Sequence, residues 1–501
     1  MLLAAVDLGS NSFRMEIGEV VGERIVSRQY HKEYVRLAGG FDADGRITPQ
    51  KQAESLAALE RFAERLKDIP PEQVRAVGTQ ALRVARNIDE FLPAACAALG
   101  HPIEVIAGRE EARLVFSGCA HTLPASSEKR LVVDIGGGST EVVTGRGYTA
   151  HRCESFHVGC VNTSIDFFAD GRITETAMRE AQLSAQAEFI EAARQFGPRT
   201  WDAAYGSAGT ISAVADIGTA SGLTNGVVTP ALLKRLRTEL VELGAVQSIR
   251  LPGLKEDRRE VIAGGIAVLS AVFETFGVRQ MTPALGALRV GLLYDLLDRK
   301  NQQDVRDKTV AAIVKRSDVD KQQAARVAAL ADTFLVAMGV DDQNARKLLQ
   351  WAAMLHETGK LISPSRYHRH SEYIVRNADM PGFSRADQKR MATLVLGQRG
   401  NLGKVREALA DPLMVRMLIA LRLAVITAQA RRTTKLPEWS LGVKAPGART
   451  CIEIGIDPAW IARHPLSAFL FAEEARMWER VGASLTLNGR ALADGRFGVG
   501  A

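Results

Sequence analysis

The chain has 501 residues, 46% of them hydrophobic and 24% charged, with a formal net charge of +7. This is ordinary globular composition on a chain too long for one core, so three or four domains are expected. No apolar run approaches a membrane span, since the best, "MVRMLIALRLAVITAQA" at 414–430, is cut by Arg416 and Arg422. Residues 2–6 are apolar but too few for a signal peptide, and Asp7 ends them. The five cysteines (Cys96, Cys119, Cys153, Cys160, Cys451) form no CxxC pair, which points to reduced thiols in a cytoplasmic protein and to no zinc site. Charge is unevenly placed. Residues 302–501 carry 30 Lys+Arg against 20 Asp+Glu, and residues 1–301 carry 34 against 37. Most of the excess lies in 385–449, with 13 basic and 4 acidic residues, which reads either as a solvated basic surface or as a track for a polyanion.

In chain order, "LLAAVD" reads as a strand, "FRMEIGEVV" as a second and "ERIVSRQYHKEYVRL" as a third extended region. Over 48–68, Leu56, Leu59, Phe62, Ala63 and Leu66 recur on one helical face. "VRAVGTQALR" is a strand entering a turn, "DEFLPAACAAL" a helix, and "PIEVIAGREEARLVFSGCA" a strand, a glycine turn and a helix. After a linker at 122–130 the pattern restarts, and two long α/β halves opening alike predict an internal duplication, residues 1–122 and 123–301. From about 302 to 438 the chain is mostly amphipathic helix, as in "AARVAALADTFLVAM". A tail at 439–501 mixes short strands ("TCIEIGI", "ASLTL") with a helix near 466–479, predicting a small α+β domain.

The informative repeat is "VDLGSNS" near residue 7 and "VDIGGGST" near residue 134. Glycines after a strand let backbone N–H groups converge on an anion, and Ser, Thr and Asn add donors. No GxxxxGK[ST] loop occurs. An Asp beside phosphate only repels it unless a divalent cation lies between them, so Asp with phosphate donors implies Mg²⁺. Two such turns facing across a cleft would clamp one phosphate chain.

"VDLGSNSFRM", "GTQALR" (78–83), "GREEARLVF" (108–116), "VVDIGGGSTEVV", "HVGCVN" (157–162) and "YGSAGTISA" (205–213), in this order, resemble the motifs of the exopolyphosphatase/guanosine pentaphosphate phosphohydrolase family. "WAAMLHETGK" (351–360) and "HRHSEYIVRNADMPGF" (368–383) extend the resemblance into the helical part. It implies two ribonuclease-H-like domains of the actin/Hsp70/sugar-kinase superfold, then a helical HD-like domain. It also implies Mg²⁺-dependent hydrolysis of the terminal phosphoanhydride of inorganic polyphosphate, with a monovalent cation such as K⁺ as a further candidate. The alternative substrate is guanosine pentaphosphate, which would tie the protein to the stringent response. A cytoplasmic homodimer is expected, with peripheral membrane association left open.

By position alone, Glu110 and Glu111 sit in a helix's first turn, where acids suit the positive end of the macrodipole. The resemblance implies instead that Glu111 is the general base taking a proton from the attacking water. It further implies that Asp7, Asp134 and Glu141 serve the metal, Glu141 also assisting catalysis. Ser10, Asn11, Ser12, Arg83, Gly136, Gly137, Gly138, Ser139, Thr140, Gly206, Ser207, Gly209 and Thr210 would bind phosphoryl oxygens. Arg399, Lys404, Arg406, Arg431, Arg432 and Lys435 are expected to include part of a polyanion track. Two departures stand out. "GALRVG" (286–291) carries Val290 where the family commonly has an acid, and "HETGK" places Glu357 where metal-dependent HD phosphohydrolases have Asp, so an HD-like fold without metal is expected. An ATP-dependent kinase or ATPase of the same superfold would leave "REEARL" unexplained, and a non-catalytic polyanion-binding protein would leave both Asp-glycine turns idle.

Overall fold

A computed structural model describes residues 1–301, 304–431, 438–444 and 450–491, and the chain forms two compact units, Met1–Asp304 and Val305–Ala501. In the first unit, β1 (Leu2–Leu8) runs antiparallel to β2 (Phe13–Val21), which runs antiparallel to β3 (Arg24–Glu33). On the other side of β1, β4 (Val74–Gly78) and then β5 (Ile103–Val105) lie parallel, giving the order β3-β2-β1-β4-β5. The second sheet repeats this with β6 (Lys129–Ile135), β7 (Thr140–Arg146), β8 (Thr149–Phe156), β9 (Ala203–Ser207) and β10 (Thr282–Pro283), in the order β8-β7-β6-β9-β10 and with the same strand senses. The duplication read from two turns is thus a duplication of whole sheets. Both central strands are covered on each face, which is why they read as unbroken apolar runs.

Thr48 caps the helix Pro49–Leu66 by accepting from the Lys51 N–H, and the helix buries Ala58, Leu59, Phe62 and Leu66. Leu56 and Ala63 sit at the half-buried margin of that face. A third core joins the two sheets through Leu3, Ala5, Val132 and Val143 and through the helices Gly108–Thr122 and Leu288–Lys300. Those helices nearly touch backbone to backbone. A Cβ on Gly118 would stand 2.0 Å from the Ala287 carbonyl oxygen, and one on Gly291 would stand 1.9 Å from that of Leu114. The last helix of the unit therefore returns to pack on the first half. Around the crossing, Asp295 meets Arg75 and Arg113 at 2.5 Å each, and Arg113 also holds Glu110 at 2.8 Å. Burial raises the Asp295 carboxyl, but Arg75, Arg113 and Arg299 outweigh it and keep the group well below its ordinary range.

The second unit packs six helices between Val305 and Thr427. They are followed by a sheet of β11 (Trp439–Lys444), β12 (Cys451–Ile456), β13 (Ser484–Leu487) and β14 (Arg490–Ala491). The sheet and the helix Pro465–Glu479 share one core with the bundle, Ile452, Phe471 and Leu485 packing in the same cluster as Leu418 and Leu421. The helix Pro412–Thr427 is apolar nearly all round because it lies inside this core. Its one buried cation, Arg422, reaches Glu474 at 2.5 and 2.6 Å and the Gly397 carbonyl at 2.5 Å. Among the described residues no helix is long and apolar enough to cross a membrane, and all five cysteines are free thiols.

Candidate active site

The two hairpins that open the sheets match residue for residue in pairing register. Leu8 pairs with Phe13 and Ile135 with Thr140, so each turn holds four residues, 9–12 and 136–139. Gly9 and Gly136 occupy the same place. A Cβ on either would meet the carbonyl oxygen three residues on, of Ser12 or of Ser139, at 3.1 Å. Both turns line one cleft of about 90 Å³, together with Asp7, Glu111, Asp134 and Gly209. Ser10, Asn11, Ser12 and Gly136 through Ser139 are all on its wall. Backbone and hydroxyl donors from both halves therefore face one volume.

Four carboxylates gather at or behind this wall. Glu111, in the first turn of its helix, accepts from Arg83 Nη1 at 2.6 Å. Burial pushes its pKa up to about 7; Arg83 opposes that shift and the charges of Asp7 and Asp134 reinforce it. Burial likewise raises Asp134 to about 6, with Ser207 and Arg14 pulling it back. Asp7 is raised by burial against Arg14 and Arg289. Glu141, across the hairpin from Asp134, accepts from Ser155 Oγ at 2.8 Å. Burial, then Glu111 and Asp134, hold Glu141 well above its ordinary value. Buried acids that raise one another's pKa form a site in want of positive charge.

Three arginines that sequence reasoning passed over, Arg14, Arg258 and Arg289, line the same cleft. A signal existed for the first: Arg14 and Glu16 alternate with the apolar Phe13, Met15 and Ile17 at the start of the strand, and Arg14 stands across the hairpin from Asp7. Arg289 sits beside Val290 in "GALRVG" and donates to Glu16 at 3.2 Å. Arg258 lies in a charged stretch, 256–261, with no motif to single it out. Lys32 adds to this group. Burial, then Arg14 and Arg258, lower its pKa to about 8, although Asp257 stands 3.5 Å away.

Several expected ligands stand elsewhere. Arg83 is not on the cleft wall; besides Glu111 it reaches the Ile106 carbonyl at 3.3 Å. Thr140 donates to the Val158 carbonyl at 2.6 Å, Ser207 to that of Gly286 at 3.2 Å, and Thr210 packs against Gly265. Gly206 is buried between Ile211 and Met281. In the second unit, Arg431 bonds both Glu357 oxygens, at 2.6 and 2.8 Å, and Asp320 at 2.9 Å. Arg399 and Arg406 are exposed, Lys404 donates to the Arg399 carbonyl, and Arg432 and Lys435 lie outside the described residues.

Among the described residues, no group of three or more His, Cys, Asp or Glu could by itself hold a metal ion. Mg²⁺ does not require one, since it keeps several waters and binds through one or two carboxylates plus substrate phosphates. Asp7 and Asp134 are buried and, among the described residues, neither forms an ion pair, so they are a donor set that fits it.

Residues 19–300 match the Ppx/GppA phosphatase family, and residues 305–475 match domain III of Ppx/GppA phosphatases. The chain belongs to the Ppx/GppA phosphatase family. It is similar to an exopolyphosphatase from Cytophaga hutchinsonii, at 23% identity and a TM-score of 0.54, over 60% of this chain and 98% of that one. It is also similar to two structures of the Aquifex aeolicus Ppx/GppA protein. One is 27% identical with a TM-score of 0.50 over 58% and 98% of the two chains; the other is 26% identical with a TM-score of 0.51 over 60% and 98%. The first unit thus has the actin-like fold of Ppx/GppA phosphatases, and the protein is a phosphatase-type hydrolase of that family with the family's helical third domain.

Proposed function

We propose that this Ppx/GppA phosphatase is an exopolyphosphatase, releasing orthophosphate from the end of inorganic polyphosphate. The observation that carries the reading is the convergence of Glu111 and the two Asp-glycine turns on one cleft, with Arg14, Arg258 and Arg289 on its wall and Lys32 in their field. That is more positive charge than one terminal phosphoryl group needs, and it suits a chain of phosphates.

In this reading the N–H groups of both turns, with the Ser12 and Ser139 hydroxyls, hold the terminal phosphoryl oxygens, while the Ser10 hydroxyl donates to Gln80 Oε1 at 3.2 Å. Glu111 accepts a proton from water as the water oxygen bonds to the terminal phosphorus. The bond from that phosphorus to its bridging oxygen breaks, leaving orthophosphate and a chain one residue shorter. A base with a pKa near 7 suits this step at neutral pH, and Arg83 fixes the direction in which its carboxylate points. Arg14, Arg258 and Arg289 meet the charge that builds on the departing oxygen. Mg²⁺, held by Asp7 and Asp134, would supply further charge neutralisation to the phosphoryl oxygens.

The test is phosphate release from long polyphosphate and from guanosine pentaphosphate at matched phosphate concentration, with Mg²⁺ and with EDTA. Faster release from polyphosphate, abolished by chelation, is expected. Release from the nucleotide alone would transfer the assignment to pentaphosphate hydrolysis, and undiminished hydrolysis in EDTA would remove the metal from it.

A further inference from the structure

The second unit holds a cavity that the hydrolytic reading does not use. It encloses about 400 Å³, within the range of small-molecule pockets, at the corner where the helix Gln343–Leu355 ends in His356. Gln398 lines it and is 2% exposed. The Gln398 Nε2 donates to the carbonyls of His356 at 2.7 Å and Val395 at 3.0 Å, which settles which end of the amide is which. Among the described residues the other end, Oε1, is buried without a hydrogen-bond partner. Such an orphaned acceptor is destabilising unless something supplies a donor. His356, also on the wall, sets Nδ1 2.6 Å from the Ala353 carbonyl, so Nδ1 carries the proton and Nε2 keeps a lone pair.

Lys360, Arg399, Arg422 and Arg431 line the cavity against Glu357, Glu473 and Glu474, an excess of one positive charge, and Glu473 is held by Arg476 at 3.0 Å. Arg422 is engaged by Glu474, and Lys360 and Arg431 by Glu357. Arg399 stacks its guanidinium 5.2 Å over the Tyr367 ring and, among the described residues, pairs with no carboxylate. Lys404 is not on the cavity wall but donates its ammonium to the Arg399 carbonyl at 2.7 Å, and among the described residues it too pairs with no carboxylate. Burial, then Arg422, Arg369 and Arg399, lower the Lys404 pKa to about 7, as expected where positive charges crowd without an anion. Val425, Ile426, Leu470 and Met477 make the remaining wall apolar.

We propose that this cavity binds a small organic phosphate. Its phosphate would meet Arg399, with the Lys404 charge close by, N–H or O–H groups of its body would meet Gln398 Oε1 and His356 Nε2, and its carbon skeleton would lie on the apolar wall. Orthophosphate is too small to reach all three.

Calorimetric titration of the full chain with AMP, glucose 6-phosphate and orthophosphate tests this and separates a nucleotide from a sugar phosphate. One saturable site for AMP or for glucose 6-phosphate is expected, at least about tenfold tighter than for orthophosphate. Arg399→Gln, at an exposed position, should weaken it about tenfold, the loss of one charge-assisted hydrogen bond. Arg14→Gln, in the hydrolytic cleft, should not weaken it. Gln398→Leu should reduce the organic phosphate to the affinity of orthophosphate, with circular dichroism matching the parent protein; Arg399→Gln decides the matter if that fold is lost. The proposal is overturned by no binding of either organic phosphate at millimolar concentration, or by binding no tighter than that of orthophosphate. Binding that Arg14→Gln abolishes while Arg399→Gln spares would overturn it as well.

Discussion

The two hairpins of the first unit share a backbone and differ in chemistry. Across the first, Asp7 faces Arg14; across the second, Asp134 faces Glu141. Duplication supplied two matching frames, and a single position in each then took opposite charges. The first hairpin presents a cation beside its acid, which suits gripping phosphate. The second gathers acid upon acid, with Glu111 adding a third, which suits a proton acceptor and a cation site. Neither hairpin alone can both hold an anion and activate water, because the groups for one task repel the species needed for the other.

The largest effect that would break this comparison is on the acidic side. Glu111→Gln keeps shape and removes the proton acceptor, so kcat should fall by about 10²–10⁴ while polyphosphate still binds. Near-normal turnover would show that the second hairpin does not carry the chemistry. Next come the paired acids. Asp134→Asn and Asp7→Asn should each raise the Mg²⁺ needed for half-maximal rate, by at least the ~10–100-fold that loss of a supporting partner costs. Equal activity of either variant at parent Mg²⁺ levels would take that residue out of the metal site.

A smaller effect is expected on the cationic side. Arg14→Gln should raise KM for polyphosphate about tenfold with kcat less affected, and it should flatten the rise of KM with salt. A loss confined to kcat would mean that Arg14 acts on the reaction and not on the grip. In the second unit, Arg431→Gln should change that salt dependence least, since Arg431 is already bound to Glu357 and Asp320.

The acids also set a stability signature. Burial raises the Glu111 carboxyl from an ordinary value of 4.5 to about 7 and Asp134 from 3.8 to about 6. Below the ordinary values both groups are protonated, folded or not, and cost nothing. As pH climbs from about 4 to 7 the unfolded chain ionises first, so the metal-free protein should lose stability across that window. Adding Mg²⁺ should remove most of the slope. A melting temperature that rises from pH 5 to 7 without metal would show that these carboxylates are already neutralised.

Much of this was legible along the chain. An apolar run buried on both faces, an acid and a glycine turn specify a central strand and its exit whatever surrounds them, so both hairpins, the helix face around Leu59 and Phe62, and the cleft positions of Ser10, Asn11, Ser12 and Gly136–Ser139 could be read directly. These are local properties, fixed by periodicity and turn chemistry within a dozen residues. What the fold alone decided are the long-range pairings. Arg83 turned to Glu111, Arg258 and Arg289 came to the cleft from distant segments, and Thr140, Ser207 and Thr210 found buried partners. The basic stretch at 385–449 shows the reason most plainly. Its linear count includes Arg422, Arg431 and Lys444, whose acids, Glu474, Glu357 with Asp320, and Glu453, lie outside that window and arrive only by folding. Charge is felt over a few ångströms of space, not over residues of sequence, so only the tertiary structure could say which cations remain for a ligand.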